Sequence, residues 1–195
     1  MVGNDVIDLG DREVIEGPAH PRFDQRVFTA AERALLRSSR APELLRWTLW
    51  SAKEAAYKLT RKRNPGVIFS PRRFAVRLAE PDRALVRHDD VELPVQLTSA
   101  GRALHALALD SDPQTERLVW AVERRPAEAD PSRAARALAA RVLGEELELP
   151  ASAFRFGRRG RVPTLTAEGR RGSLDLSLSH HGRFVAFACQ VRMAA

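Results

Sequence analysis

Residues 50–58 read Trp50-Ser51-Ala52-Lys53-Glu54-Ala55-Ala56-Tyr57-Lys58, and the arrangement of the rest of the chain follows from how this stretch folds. It holds two of only three lysines in a protein with 32 basic residues; the third is Lys62, and the others are all arginine. An ammonium is a compact, mobile point charge, whereas a guanidinium is a planar fork, so lysines kept against such a background mark positions where the difference matters. Ala, Glu and Lys favour helix. At 100° per residue, Trp50, Lys53, Glu54, Tyr57 and Lys58 share an arc of about 140°. A carboxylate flanked by two ammoniums suits a site that handles a metal ion together with phosphate. The plainer reading is a Glu54–Lys58 ion pair on a solvated face, worth about 0.2–0.5 kcal/mol.

Around this helix the chain predicts an α+β fold. Met1–Leu9 is a short strand, and Gly10–Gln25 an irregular connection carrying Gly17 and Pro18. Thr29-Ala30-Ala31-Glu32 is a capping box that opens a helix running to about Arg37. The lysine helix starts at Pro42 and stops before Asn64-Pro65-Gly66. Strands are expected over Phe74–Leu78, Leu93–Leu97, His105–Leu109 and Leu118–Glu123. Arg125–Asp130 reads as a linker, and a helix over Ser132–Leu143 ends at Gly144. Phe154–Gly160 is a basic loop. Strands Leu174–Ser179 and Phe184–Val191 meet at His180–Arg183. The expected division is therefore 1–125 and 126–195.

The chain has 195 residues, 44% of them hydrophobic and 29% charged, enough for one substantial core or two small, closely packed ones. A formal charge of +7 points to an anionic partner. Nucleic acid is disfavoured: the arginines are dispersed, aromatics are only 6%, and no groove-reading motif is present. Asp5 and Asp8 occupy the place where a signal peptide would need an apolar core, and no run has the length of a membrane span, so a cytoplasmic protein is expected. The single Cys189 excludes an intrachain disulfide and reads as a small buried hydrophobe.

Two further islands carry polar groups in apolar settings. Gly3-Asn4-Asp5-Val6-Ile7-Asp8 places carboxylates in a strand, where Asp is depleted and costly to bury unpaired. A hard divalent cation would satisfy them, because Mg²⁺ takes one or two protein carboxylates and leaves its other positions to water and phosphate. Asp5 with Glu54 would make such a pair; alternatively Asp5 caps a turn and Asp8 opens a loop. Leu176-Ser177-Leu178-Ser179-His180-His181-Gly182-Arg183 is an alternating strand ending in a polar turn that could meet an anion, or a hairpin with solvated histidines. Arg155, Arg158, Arg159 and Arg161 form the densest arginine cluster, either a phosphate clamp or a solvated loop.

In this order, Gly-x-Asp-x-x-Asp, Trp-x-x-Lys-Glu-Ala-x-x-Lys, a basic Gly/Pro loop and Ser-x-Ser-His, the islands resemble the 4′-phosphopantetheinyl transferase superfamily. The resemblance implies that Asp5 and Glu54 hold Mg²⁺, with Mn²⁺ as the alternative, on the pyrophosphate of coenzyme A. It also implies coenzyme A contacts from Lys53, Lys58, Arg161, Ser179 and His180, with Asp5, Glu54 and Lys58 carrying the chemistry. The implied partner is an acidic apo acyl carrier protein or carrier domain. Gly160-Arg161-Val162-Pro163 departs from the Gly-Lys-Pro of larger members. The motif order is that of the short holo-acyl-carrier-protein synthases, but the chain is much longer. The monomeric surfactin-synthetase-activating type of this superfamily has a duplicated, pseudo-twofold arrangement with the Ser-His half first. The expectation is a monomeric pseudo-dimer of two unequal, pseudo-twofold-related halves joined in permuted order, with the site between them; a homotrimer with intersubunit sites is the competing arrangement. Rival functions are a Mg²⁺-dependent nucleotide phosphohydrolase and a basic nucleic-acid-binding domain.

Overall fold

The computed structural model describes residues 1–192 except 19, 21, 111–115, 171 and 173. Strand β1 (Val2–Asp8) is followed by three short helices: α1 (Arg12–Glu16), α2 (Phe23–Val27) and α3 (Ala30–Ser38). The long α4 (Pro42–Arg63) comes next, then an antiparallel meander of β2 (Phe74–Glu80), β3 (Arg83–His88), β4 (Val91–Ala100) and β5 (Ala103–Leu109). These strands form a five-stranded sheet in the order β1-β5-β4-β3-β2, so the first strand closes on the last. Helix α4 lies across the sheet, burying Leu49, Leu59, Phe74, Val86 and Val95 between them.

The second half contains β6 (Glu116–Arg124), α5 (Pro131–Leu147), the hairpin β7 (Phe154–Arg159) with β8 (Val162–Ala167), then β9 (Asp175–His181) and β10 (Phe184–Arg192). Its sheet has the order β6-β10-β9, and α5 packs on it through Leu143, Leu176 and Phe187. The strand expected at the end of the first half thus belongs to the second. Glu123 lies opposite Val185 and Val119 opposite Cys189, which places β6 in the second sheet.

Several expectations hold in detail. Thr29 and Glu32 form the capping box, and Asp130 caps α5 by accepting from Arg133 N. Cys189 is buried, and burial pushes its thiol up to about 12, where it is inert. Three readings are corrected. The Gly10–Gln25 connection contains α1 and α2, each a single turn too short for a periodic signal. The basic loop after residue 154 is the β7–β8 hairpin. Helix α5 runs through Gly144 to Leu147, because this glycine is needed for contact and does not stop the helix: a Cβ there would lie 2.7 Å from Leu149 O, where the chain doubles back.

The two halves meet along β1, which is buried over its whole length. One edge of β1 pairs with β5. The other edge meets no backbone ladder; alternate side chains of β9 take its N–H groups. Val2 N donates to Asp175 Oδ2 (2.5 Å), Asn4 N to Ser177 Oγ (2.9 Å), Val6 N to Ser179 Oγ (3.1 Å) and Asp8 N to His181 Nδ1 (3.1 Å). A buried edge strand must satisfy these donors, since each one left unmade costs about 1–3 kcal/mol. Val2, Leu107 and Ala188 make a small apolar seam beside the ladder.

Candidate active site at the seam between the halves

Gly3 brings the lysine helix onto β1. A Cβ at this position would lie 2.1 Å from Ala55 O and 2.8 Å from Leu59 N, so only glycine allows the helix backbone to approach so closely. Ala52, Ala55 and Ala56 give the matching small face on α4. The approach carries Lys58 to the strand, where Nζ donates to Asp5 Oδ1 (2.8 Å), Asn4 O (3.0 Å) and Ser179 Oγ (3.3 Å). All three ammonium donors are thereby used. The Ser179 hydroxyl donates to Asp5 Oδ1 at 2.9 Å. Asp5, Lys58 and Ser179, from three elements, form one cluster.

Glu54 stands beside this cluster on the same helix. Burial raises its carboxyl pKa, the neighbouring Asp5 charge raises it further, and Lys58 and Arg61 oppose; the balance is about 7. Two carboxylates thus face each other closely enough for one to hinder ionisation of the other. Among the described residues, neither Glu54 nor Asp5 Oδ2 accepts a hydrogen bond from a side chain or amide. Two hard oxygen donors side by side, next to Lys58 at the border of a basic cleft, fit Mg²⁺, which needs only one or two carboxylates from the protein. Among the described residues no cluster of three or more His, Cys, Asp or Glu side chains could cage a metal alone.

A cleft of about 410 Å³ opens next to the cluster, between α4, α5, the β7–β8 hairpin and β9. Lys58, Arg61, Lys62, Arg136, Arg158 and Arg161 line it together with His180, and among the described residues no carboxylate does. Arg61 spans the cleft, donating to Arg161 O (2.8 Å) and to Tyr57 Oη (3.0 Å). His180 lies at the mouth; desolvation by the walls, then the Lys58 and Arg125 charges, lower its pKa against the pull of Asp130 and Asp5.

Lys53 and Ser179, both expected on coenzyme A, are held by contacts within the protein. Lys53 is 0% exposed and turned away from the cleft, its Nζ 2.7 and 2.9 Å from the Glu32 carboxylate and 2.6 Å from Phe74 O. Lys58 lies five positions further along the helix, so the two ammoniums lie at opposite limits of the 140° arc and face different neighbours. Ser179 accepts from Val6 N and Lys58 and donates to Asp5, which uses its full hydrogen-bonding capacity inside the protein. Asp8 also leaves the site: a strand turns residues three apart to opposite faces. It accepts from Gly10 N and Arg183 N instead.

The sequence model of the 4′-phosphopantetheinyl transferase superfamily matches residues 1–110. The chain belongs to this superfamily. No curated protein matches it. The matched region contains Asp5, Glu54 and Lys58 and ends just past β5, so Arg161, Ser179 and His180 lie beyond it. Arg61, Lys62 and Arg136 were missed from the sequence. Lys62 repeats Lys58 one turn on and was legible as a stripe, whereas Arg136 on α5 carries no local signal. Among the described residues, no helix is long and apolar enough to cross a membrane.

Proposed function

We propose that this protein transfers the 4′-phosphopantetheine arm of coenzyme A to a serine of an acidic apo carrier protein, releasing adenosine 3′,5′-bisphosphate. The observation that carries the reading is the Asp5–Lys58–Ser179 cluster, with Glu54 alongside, at the edge of a cleft lined by six cationic side chains. The cleft takes the phosphates, with Arg61, Arg136, Arg158 and Arg161 as charge partners and His180 near one terminal phosphate. Asp5 and Glu54 would hold Mg²⁺, which when bound supplies charge neutralisation on the pyrophosphate.

The chain's own groups account for the rest. Phosphoryl transfer to a hydroxyl depends mainly on positioning and on stabilising charge as it develops. Lys58, fixed on three sides, faces the departing phosphate and offsets its growing charge. Glu54 takes the proton of the attacking carrier serine, directly or through one water. Surplus positive charge speeds encounter with an acidic carrier.

The overall arrangement inferred is a pseudo-twofold monomer. Each half packs one long helix on an antiparallel sheet, and both walls of the cleft come from a single chain. A trimer mass by light scattering would refute the monomer. Intact-mass spectrometry of apo carrier proteins incubated with coenzyme A, Mg²⁺ and this protein tests the reaction. The expected result is a gain of one phosphopantetheine; no gain on fatty-acid, polyketide or peptide carriers sinks the proposal.

A further inference from the structure

Lys62, the third lysine, has no part in the transfer steps above. It is buried beside the cleft, with Nζ 2.6 Å from Val2 O on β1 and 2.6 Å from Asp175 Oδ1 on β9. The second oxygen of Asp175 accepts from Val2 N, so ammonium, carboxylate and the backbone N–H and C=O of one strand residue close a ring across three elements. One turn earlier, Lys58 repeats the motif with Asn4 O and Ser179. The spacings agree: one helical turn rises about 5.4 Å, and two strand residues span about 6.7 Å. Two lysines four residues apart therefore meet strand residues two apart. The seam between β1 and β9 has no backbone ladder, and Lys62–Asp175 is the ion pair that crosses it directly from α4.

We propose that Lys62 and Asp175 form a strut that fixes the spacing of the two halves and so the width of the cleft, making both positioning residues for Lys58 and His180. This rests on the reading of the cleft as the coenzyme A site. Lys62 also borders the cavity, so direct contact with a phosphate is the competing role. The two roles differ in what Asp175 does. If Lys62 binds phosphate, Asp175 competes for the ammonium, and removing its charge tightens coenzyme A binding. If the pair is a strut, removing either member loosens the seam.

The test is calorimetric titration of coenzyme A with Mg²⁺ into wild type, Lys62→Met, Asp175→Asn and the double variant, with amide hydrogen exchange of each unliganded protein. Each single substitution is expected to weaken coenzyme A at least tenfold, with the double no weaker than the worse single. Exchange should rise at Asn4 and Val6, whose acceptors on Ser177 and Ser179 are untouched, while Leu97 and Ala106 in the five-stranded sheet stay protected. Should Lys62→Met loosen that sheet as well, the isosteric Asp175→Asn decides. Unchanged or tighter binding by Asp175→Asn, or unchanged exchange at Asn4 and Val6, overturns the strut. A wild type that binds no coenzyme A defeats the functional reading, and the exchange data still decide the strut.

Discussion

Replacing Glu54 by glutamine should abolish transfer and, without a divalent cation at pH 8, make the protein more stable. The carboxyl is lifted from its ordinary 4.5 to about 7, first by burial and then by the Asp5 charge. At about 1.4 kcal/mol per pH unit, ionising Glu54 in the folded protein costs about 3 kcal/mol more than in the unfolded chain. The folded state holds this proton more tightly than the unfolded state. The contribution is therefore absent below pH 4.5, grows as pH rises from there to about 7, and stays constant above. Glutamine keeps the shape and removes the charge. Because water entering the cleft reduces the cost, the expected gain at pH 8 is about 1–3 kcal/mol, or about 2–10 °C in Tm for a chain of this size. Thermal unfolding in the presence of a chelator, at pH 8 and again at pH 4.5, measures it; the difference should be gone at the lower pH. Adding Mg²⁺ at pH 8 should raise the Tm of wild type and leave the variant unchanged. A variant no more stable than wild type at pH 8 with chelator would refute the electrostatic reasoning.

Other substitutions separate packing from chemistry. Gly3→Ala forces a Cβ against Ala55 O, so α4 must move off β1; a loss of about 2–4 kcal/mol in urea unfolding is expected, together with loss of activity. Lys53→Met leaves Glu32 without its ammonium and should cost about 3–5 kcal/mol, with the KM for coenzyme A in the surviving folded fraction unchanged. Ser179→Ala removes one acceptor for Val6 N and one donor to Asp5. It should cost about 1–3 kcal/mol and lower kcat more than it raises KM, because it disturbs Asp5 and Lys58 without touching the cleft. Lys58→Arg should reduce turnover at least tenfold in a single-turnover assay, since a planar fork cannot reach Asp5, Asn4 O and Ser179 from one point.

Local sequence rules determined much of the first half. Capping, helix propensity and strand alternation placed β1, α3 and α4 with their ends, and residue chemistry singled out Asp5, Glu54 and Lys58. These features were legible because each depends on neighbours within a turn or two. Only the folded chain decided which face of α4 meets which partner. Lys53 and Lys58 look equivalent in the sequence, yet one neutralises Glu32 and the other reaches Asp5, because one is turned toward α3 and the β2 edge of the sheet and the other toward β1 at the opposite edge. The place of β6 and the role of Ser179 also depend on pairings across more than 60 residues, for which a sequence carries no local mark. Burying a strand edge leaves donors that something distant must accept, and the tertiary structure alone settles what does.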